Sequence, residues 1–247
     1  MLKKRIIITL TFLEGVLFRT KKFIPDYRYT KNFIDLWSID ELILIDISEK
    51  KFSKEFCNTV IFFSSNCHVP ITVGGGIKNI DNVDLYFKLG ADKVVLGTQS
   101  LDKTNLIKDI SRKYGNQSII QSIDCIKEKN SNNYNVMKNN GKFFYSNDII
   151  HQCKKALSNG AGEILINNID NDGSLLGYDL NLIEMVSNKI NCPILALGGA
   201  GNWKHILDLF SKTNISGACT QNIFHFTEES ILSAKKFLRS NKIKIRN

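Results

Sequence analysis

The sequence predicts an α/β fold, a (β/α)8 barrel of the TIM type, and three observations lead there. Eight short, β-rich apolar runs punctuate the chain, at 6–10, 42–47, 71–73, 93–96, 119–123, 163–166, 194–197 and 216–219. Longer amphipathic stretches lie between them, at 83–89, 105–113, 149–157, 182–188 and 203–210. Two motifs also recur at a single spacing in the two halves of the chain. Eight strands, each followed by a helix, in 247 residues is the arithmetic of a closed barrel. An open doubly wound sheet is the competing arrangement and normally uses fewer strands.

Each run is almost continuously apolar, as expected of parallel strands buried on both faces. The first, preceded by Lys3-Lys4-Arg5, superficially mimics a secretion signal, but Glu14-Gly15 follows it with no small-residue cleavage site. It therefore reads as a buried first strand. No apolar run approaches the roughly 18 residues that span a bilayer, so a soluble, cytoplasmic protein with no membrane association is expected. The internal echo pairs Ile45-Asp46-Ile47 with Ile169-Asp170-Asn171, and Val73-Gly74-Gly75-Gly76 with Leu197-Gly198-Gly199-Ala200-Gly201. Asp46 and Asp170, like Gly74 and Gly198, stand 124 residues apart. That spacing implies two similar half-barrels, about 1–122 and 123–247, in a single domain.

Composition narrows the function classes. The chain carries 33 basic and 24 acidic residues, a net charge of +9, with 43% hydrophobic residues and 3 prolines. Lysines such as Lys51, Lys54, Lys127, Lys129 and Lys138 are scattered, and no aromatic-interleaved arginine stripe suggests a nucleic-acid partner. A solvated lysine surface fits better, with a field that favours phosphorylated metabolites. The six cysteines (Cys57, Cys67, Cys125, Cys153, Cys192, Cys219) show neither a C-x-x-C pair nor metal-ligand spacing. They read as reduced, mostly buried thiols, and no metal or other cofactor is expected.

The chemistry of a barrel sits at the C-terminal ends of its strands. Gly74-Gly75-Gly76 closes the third run and Gly198-Gly199-Ala200-Gly201 the seventh, where glycine lets backbone N–H groups approach an anion. Gly97-Thr98 and Gln221-Asn222 stand ready to complete two cradles, suggesting a ligand with a phosphate at each end. The alternative is that each cluster merely makes a tight turn. Asp46, Asp124, Asp170 and Asp172 fall at strand ends, and Asp124, alone after an apolar strand, is the preferred acid/base group. Asp172-Gly173 also reads as ordinary turn chemistry, and Asp46 and Asp170 equally as loop-organising residues. At the opposite strand ends, Arg5, Glu41, Lys93 and Glu163 can meet in a ring of alternating sign, either a plug or a gate for something small and polar. The histidines (His68, His151, His205, His225) form no ligand pair, and neither a serine elbow nor a dinucleotide glycine motif is present.

Taken together, these residues resemble the cyclase subunit of imidazole glycerol phosphate synthase over essentially the whole chain. The likeness rests on Asp40-Glu41-Leu42 through Asp46, Thr72-Val73-Gly74-Gly75-Gly76-Ile77, Gly90-Ala91-Asp92-Lys93-Val94 and Ser122-Ile123-Asp124. It continues through Gly160-Ala161-Gly162-Glu163, Asp170-Asn171-Asp172-Gly173, Gly177-Tyr178-Asp179, Gly198-Gly199-Ala200-Gly201 and Phe224-His225-Phe226. The resemblance implies a barrel that binds a bisphosphorylated ribulosyl-formimino ribotide. It also implies a glutaminase docked on the N-terminal face, near Asp92, whose ammonia crosses a gate of Arg5, Glu41, Lys93 and Glu163. By the same likeness Arg19 takes the place of a substrate-touching lysine on a mobile loop. The phosphate cradles fall on Gly75, Gly76 and Thr98, and on Asp172, Gly173, Gly198 and Gly199, with Asn222 beside the second.

The departures are equally specific. The family ends its first strand with a catalytic aspartate, in a Pro-Cys-Leu-Asp context; here the segment is Ile8-Thr9-Leu10-Thr11. A threonine hydroxyl does not ionise near neutral pH and cannot replace a carboxylate, so Asp124 alone remains of the catalytic pair. Gly97 replaces an asparagine, and Gln221-Asn222 replaces small residues. The pattern is similar to a paralogous branch associated with surface-polysaccharide synthesis, which implies ammonia delivery for amidation (acetamidino formation) of a nucleotide sugar. A histidine-pathway cyclase and a glutaminase-docking scaffold are the alternatives.

Overall fold

The computed structural model describes residues 3–29, 38–221 and 231–246, without the side chains of Thr98, Gln99 and Thr104. Asn222 and the Phe224-His225-Phe226 motif lie outside the described residues. In chain order the elements are β1 (Arg5–Leu13), β2 (Val16–Lys21), β3 (Ile24–Tyr29), β4 (Glu41–Asp46), α1 (Lys54–Asn66), β5 (Ile71–Gly74), α2 (Ile80–Lys88) and β6 (Lys93–Leu96). A short 3-10 turn, Thr98–Asp102, leads to α3 (Thr104–Tyr114), β7 (Ile119–Lys127), β8 (Tyr134–Lys138), β9 (Phe143–Ser146) and α4 (Ile149–Ser158). Then follow β10 (Glu163–Asn168), α5 (Leu180–Ser187), β11 (Ile194–Leu197), α6 (Trp203–Lys212), β12 (Gly217–Thr220) and α7 (Ile231–Ser240).

Eight of these strands pair in parallel around a closed ring, β1-β4-β5-β6-β7-β10-β11-β12 and back to β1. They are the eight runs that the sequence marks as strands, and the α/β barrel is the fold. The strands are apolar on both faces because each face has its own core. Ile7, Ile43, Val95, Ile120, Leu165, Leu195 and Cys219 form a cluster on the barrel axis, while Ile6, Leu10, Phe12, Leu42, Leu44 and their neighbours pack beneath the helices. Phe12, for instance, lies 6.0 Å from the rings of both Phe56 and Phe63 on α1. Alternation along each strand then sorts the polar residues. Arg5, Glu41, Lys93 and Glu163 point inward at the floor. Thr9 and Thr72 do so midway, and Thr11, Ser122, Asp124 and Asn167 at the mouth.

Two antiparallel hairpins, which the sequence pattern does not predict, rise from the mouth. β2 and β3 extend β1, and β8 and β9 extend β7. β3 is almost wholly exposed, so no buried face leaves an alternating pattern to read. Its turn uses Lys22 and Phe23 at φ +51 and +65, residues without the usual Asn or Gly turn signature. The second hairpin did carry a signal, since Asn139, Asn140 and Gly141 all take positive φ at its turn.

The 124-residue echo is not the correspondence that the strands follow. Asp46 pairs with Phe12, and on the other side of the barrel it is Asn168, not Asp170, that pairs with Cys125. Asp46 Oδ1 accepts the Ser48 N–H at 2.9 Å, and Asn168 Oδ1 accepts the Asp170 N–H at 2.9 Å. The glycines follow suit. A Cβ on Gly75 would stand 2.4 Å from the Asp46 carbonyl, and one on Gly198 2.6 Å from that of Asn168. Both residues also hold φ above +100°, so each position requires glycine twice over.

Candidate active site

The mouth is framed by the ends of β1 and β7. Asp124, half-buried, receives the Ser122 hydroxyl at 3.1 Å and the Asn167 side-chain N–H at 3.3 Å, both on Oδ1. Its two neighbours are themselves inward-facing, so the carboxylate is oriented from below by β7 and from the side by β10. Thr11 occupies the matching place on β1, and its hydroxyl donates to the Phe18 carbonyl on β2. Gln221 joins it there, donating Nε2 to the same carbonyl at 2.6 Å, with Oε1 3.4 Å from Thr11 Oγ1. Where the resemblance implies a second carboxylate, this chain has two neutral side chains anchoring the first hairpin. The sequence pattern does not mark Asn167 and Ser122 as parts of this arrangement, and it assigns Gln221 to the second cradle instead. The inward strand positions of Ser122 and Asn167, each two residues from an apolar neighbour on the axis, are the available signal; Gln221 follows directly after β12, two residues from Cys219.

Two glycine turns flank this centre. The first holds Gly75 and Gly76 at φ +114 and +71, the second Gly198 and Gly199 at φ +101 and +104. Among the described residues, none of these four N–H groups donates to a protein acceptor. Unpaired N–H groups converging from positive-φ turns form anion-binding concavities. Beside the first, the Gly97 carbonyl is held by Ser100 Oγ at 2.8 Å and Gln121 Nε2 at 3.1 Å, which sets the course of the 3-10 turn. Beside the second, the Gly199 carbonyl accepts the Gly177 N–H at 2.7 Å.

Several candidate residues are placed elsewhere than expected. The Asp46 carboxylate faces the helices, buried behind the strand end, because its neighbour Ile45 takes the axial position. It organises the loop after β4 instead of facing the mouth. Asp170 is exposed and accepts the Lys127 N–H at 2.9 Å, tying two loops together. Asp172 accepts the Phe23 N–H at 2.9 Å, and its carbonyl accepts that of Lys22. A Cβ on Gly173 would meet the Thr20 carbonyl at 2.5 Å. The Asp172-Gly173 turn is therefore covered by the first hairpin and serves as its dock. Burial there raises the Asp172 carboxyl above its usual range, against the lowering pull of the Phe23 and Thr20 contacts. Arg19 is not directed at the mouth either: it forms an ion pair with Asp26 across the hairpin.

Lys51 is the reverse case. Read from sequence as a surface lysine, it is half-buried, with Nζ donating to the Asp46 carbonyl at 2.8 Å.

At the floor the four charged residues close into a ring. Arg5 reaches Glu41 and Glu163 at 2.7 Å each, and Lys93 reaches Glu163 at 2.5 Å and Glu41 at 3.5 Å. Arg246, from the chain's C-terminal segment, approaches Glu41 from outside at 3.5 Å. Asp92, on the exposed side of this face, accepts the first N–H of β5 at 2.8 Å. Burial alone would raise the Glu163 carboxyl, but the Arg5 and Lys93 cations outweigh it and hold it below its ordinary 4.5. A carboxyl depressed on folding adds stability at neutral pH, and that contribution is lost as pH falls below about 4.5. Thermal melts between pH 7 and 3 should show the loss, and Glu163→Gln should flatten it.

Between floor and mouth, the buried Thr9 and Thr72 hydroxyls face the axis; among the described residues Thr72 has no hydrogen-bond partner, and Thr9 has only the neighbouring Cys219 thiol. Buried hydroxyls are normally satisfied, so a polar guest on the axis would find partners there. Among the described residues, no helix is long and apolar enough to cross a membrane.

Comparison with known proteins gives one consistent result. Residues 10–230 match the family described as histidine biosynthesis protein. The chain is 34% identical over 262 aligned positions to imidazole glycerol phosphate synthase subunit HisF of Streptococcus mutans, covering all of both chains. It is 33% identical over 252 positions to the protein of that name from Clostridium botulinum strain Okra, again over the full length of both. A Vibrio vulnificus protein named as a candidate subunit of the same synthase, hisF2, is 35% identical over 93% of this chain and 85% of its own.

Proposed function

The chain belongs to the histidine biosynthesis protein family as a HisF-like barrel, and from that premise we propose that it is the ammonia-using subunit of a glutamine amidotransferase whose original cyclisation chemistry is weakened. A glutaminase docks on the N-terminal face near Asp92, and its ammonia passes the Arg5-Glu41-Lys93-Glu163 ring. The Thr9 and Thr72 hydroxyls offer hydrogen bonds along the axis. At the mouth, a phosphorylated substrate lies between the N–H groups of Gly75 and Gly76 and those of Gly198 and Gly199. The ammonia then serves amidation of a nucleotide sugar in surface-polysaccharide synthesis.

One observation carries this reading. The mouth has Asp124 on one side and Thr11, bound to the Phe18 carbonyl, on the other. Among the described residues, ring closure that needs one group to take a proton while another gives one has a single mouth carboxylate at its disposal. Asp124, oriented by Ser122 and Asn167, can accept a proton from an incoming ammonia-derived amine. Thr11 can orient a ligand but cannot exchange protons near neutral pH. Amidation of an acyl carbon activated by a phosphoryl group forms one C–N bond and breaks one C–O bond. The phosphate leaves as an anion without needing a proton, so the only proton to be taken is that shed by the attacking amine, and one such base suffices.

A working histidine-pathway cyclase is the second reading, favoured by the unpaired N–H groups of both glycine turns. Turnover of the bisphosphorylated ribotide at high ammonium concentration, without a glutaminase, separates the two. No consumption with retained binding is the expected result, and Thr11→Asp should restore turnover by at least about 10²-fold. Ready consumption by the unaltered chain would sink the proposal.

A further inference from the structure

We propose that Lys51 is the cationic ligand of the first glycine turn, making it a site for a dianionic phosphate group in which the charge comes from the loop after β4. The inference rests on the reading that the mouth binds a phosphorylated substrate, and it names the residue that recognises one end.

Lys51 and Gly76 are built around each other. A Cβ on Gly76 would lie 2.4 Å from Lys51 Cγ, 2.9 Å from Cδ and 3.0 Å from Cβ, so the lysine stem runs across the face that glycine leaves bare. The ammonium donates to the Asp46 carbonyl at 2.8 Å, the same oxygen that crowds Gly75. Lys51 thus crosses both glycines of the turn. One of its three N–H groups is used. Among the described residues no carboxylate lies within ion-pairing distance of Nζ; Asp46 Oδ1 accepts the Ser48 N–H, and its buried Oδ2 has no partner among the described residues. Burial pulls the ammonium below its ordinary range, with the Asp46 charge opposing that fall.

The surroundings complete the case. The Gly75 and Gly76 N–H groups are unpaired and neutral, and two neutral donors are a poor match for a dianion leaving water. A lysine supplies the missing charge as a point cation, a common mode of phosphate recognition. On the β6 side, a Cβ on Gly97 would meet nothing within 4 Å among the described residues, which leaves room there. A phosphate seated on the Gly75 and Gly76 amides has room there and a cation on its other flank. Among the described residues no lysine is folded over the second turn, at Gly198 and Gly199: its nearest neighbours are the Asn168 and Gly177 carbonyls and Asn171. The two ends of the mouth therefore differ in charge, and the end beside Lys51 takes the more highly charged phosphate.

Titration of the full chain with inorganic phosphate, followed by the backbone amide resonances of the four glycines, tests this. Lys51→Met should weaken the response of Gly75 and Gly76 by about tenfold or more, consistent with loss of a charged hydrogen bond. Gly198 and Gly199 should be unaffected, and Lys51→Arg should restore most of the loss. Unchanged titration of Gly75 and Gly76 in Lys51→Met would overturn the inference while leaving phosphate binding standing. Equal weakening at both turns would also overturn it, because the lysine would then act through the fold. Absence of any response at Gly75 and Gly76 in the unaltered chain would remove the inference and the phosphate reading together.

Discussion

Lys235→Met is expected to destabilise the barrel by about 3–5 kcal/mol, the usual cost of leaving one member of a buried ion pair without its partner. Lys235 and Asp40 are 3% and 2% exposed, with Nζ 2.7 Å from Oδ1. The other carboxylate oxygen accepts the Ile6 N–H at 2.7 Å. One contact thus joins α7 to β1 beneath the floor ring. Burial pushes the Asp40 carboxyl up, and Lys235 is the first of the groups that pull it back. With Lys235 gone, Asp40 must either protonate or remain charged without its ion-pair partner. For a domain of this size the loss corresponds to a fall in Tm on the order of 10 °C. Adding Asp40→Asn should recover part of it, since the pair is then removed rather than broken. A Lys235→Met melt within about 2 °C of the unaltered chain would show that Arg246, whose guanidinium reaches the Asp40 carbonyl, takes over as counter-ion.

That pair also illustrates what was legible in the sequence and what was not. Lys235 sits with Ile231, Ala234 and Leu238, all buried on one face of α7, and a lysine within an apolar helical stripe announces a buried partner without saying which. The eight strands were legible because an apolar run buried on both faces has no other cheap explanation. The floor ring was legible for a related reason: a charge at the start of an apolar strand must meet its opposite or leave the core. The loops were harder. Asp46, Asp170 and Asp172 read both as mouth carboxylates and as loop or turn residues, and the structure favours the second: Asp46 bonds the nearby Ser48 N–H, while Asp170 and Asp172 bond N–H groups that only the fold brings near. Two of those amides, those of Phe23 and Lys127, belong to hairpin strands or turns far away in sequence. The half-chain echo failed at its finer level because strand register, not residue identity, decides equivalence. Asn168 does the work of Asp46 with a different side chain, since accepting an i+2 N–H needs an oxygen and not a charge. Lys51 was hidden because its burial depends on glycines 25 residues further on.

Asp124→Asn should lower ammonium-dependent amidation of the chain's own sugar substrate by about 10²–10⁴, the span associated with a positioned general acid or base. The substitution is nearly isosteric, and the new amide oxygen can still accept from Ser122 and Asn167, so the mouth keeps its shape. What disappears is the group's capacity to take a proton. The loss should therefore fall on kcat with KM little changed, as for an interaction made only in the transition state. The strongest form of the experiment uses Thr11→Asp, in which ribotide cyclisation is expected to return. Adding Asp124→Asn to that chain should abolish the gain, because the two carboxylates then work as a pair across the mouth and neither suffices alone. If the double variant retains the turnover of Thr11→Asp, the proton is handled elsewhere and Asp124 is a positioning group. If Asp124→Asn instead raises KM and spares kcat, the carboxylate binds substrate without taking part in proton transfer. Ser122 and Asn167 converge on one oxygen of Asp124, an arrangement that aims a carboxylate, and aim matters for a proton acceptor in a way that it does not for a solvated surface charge.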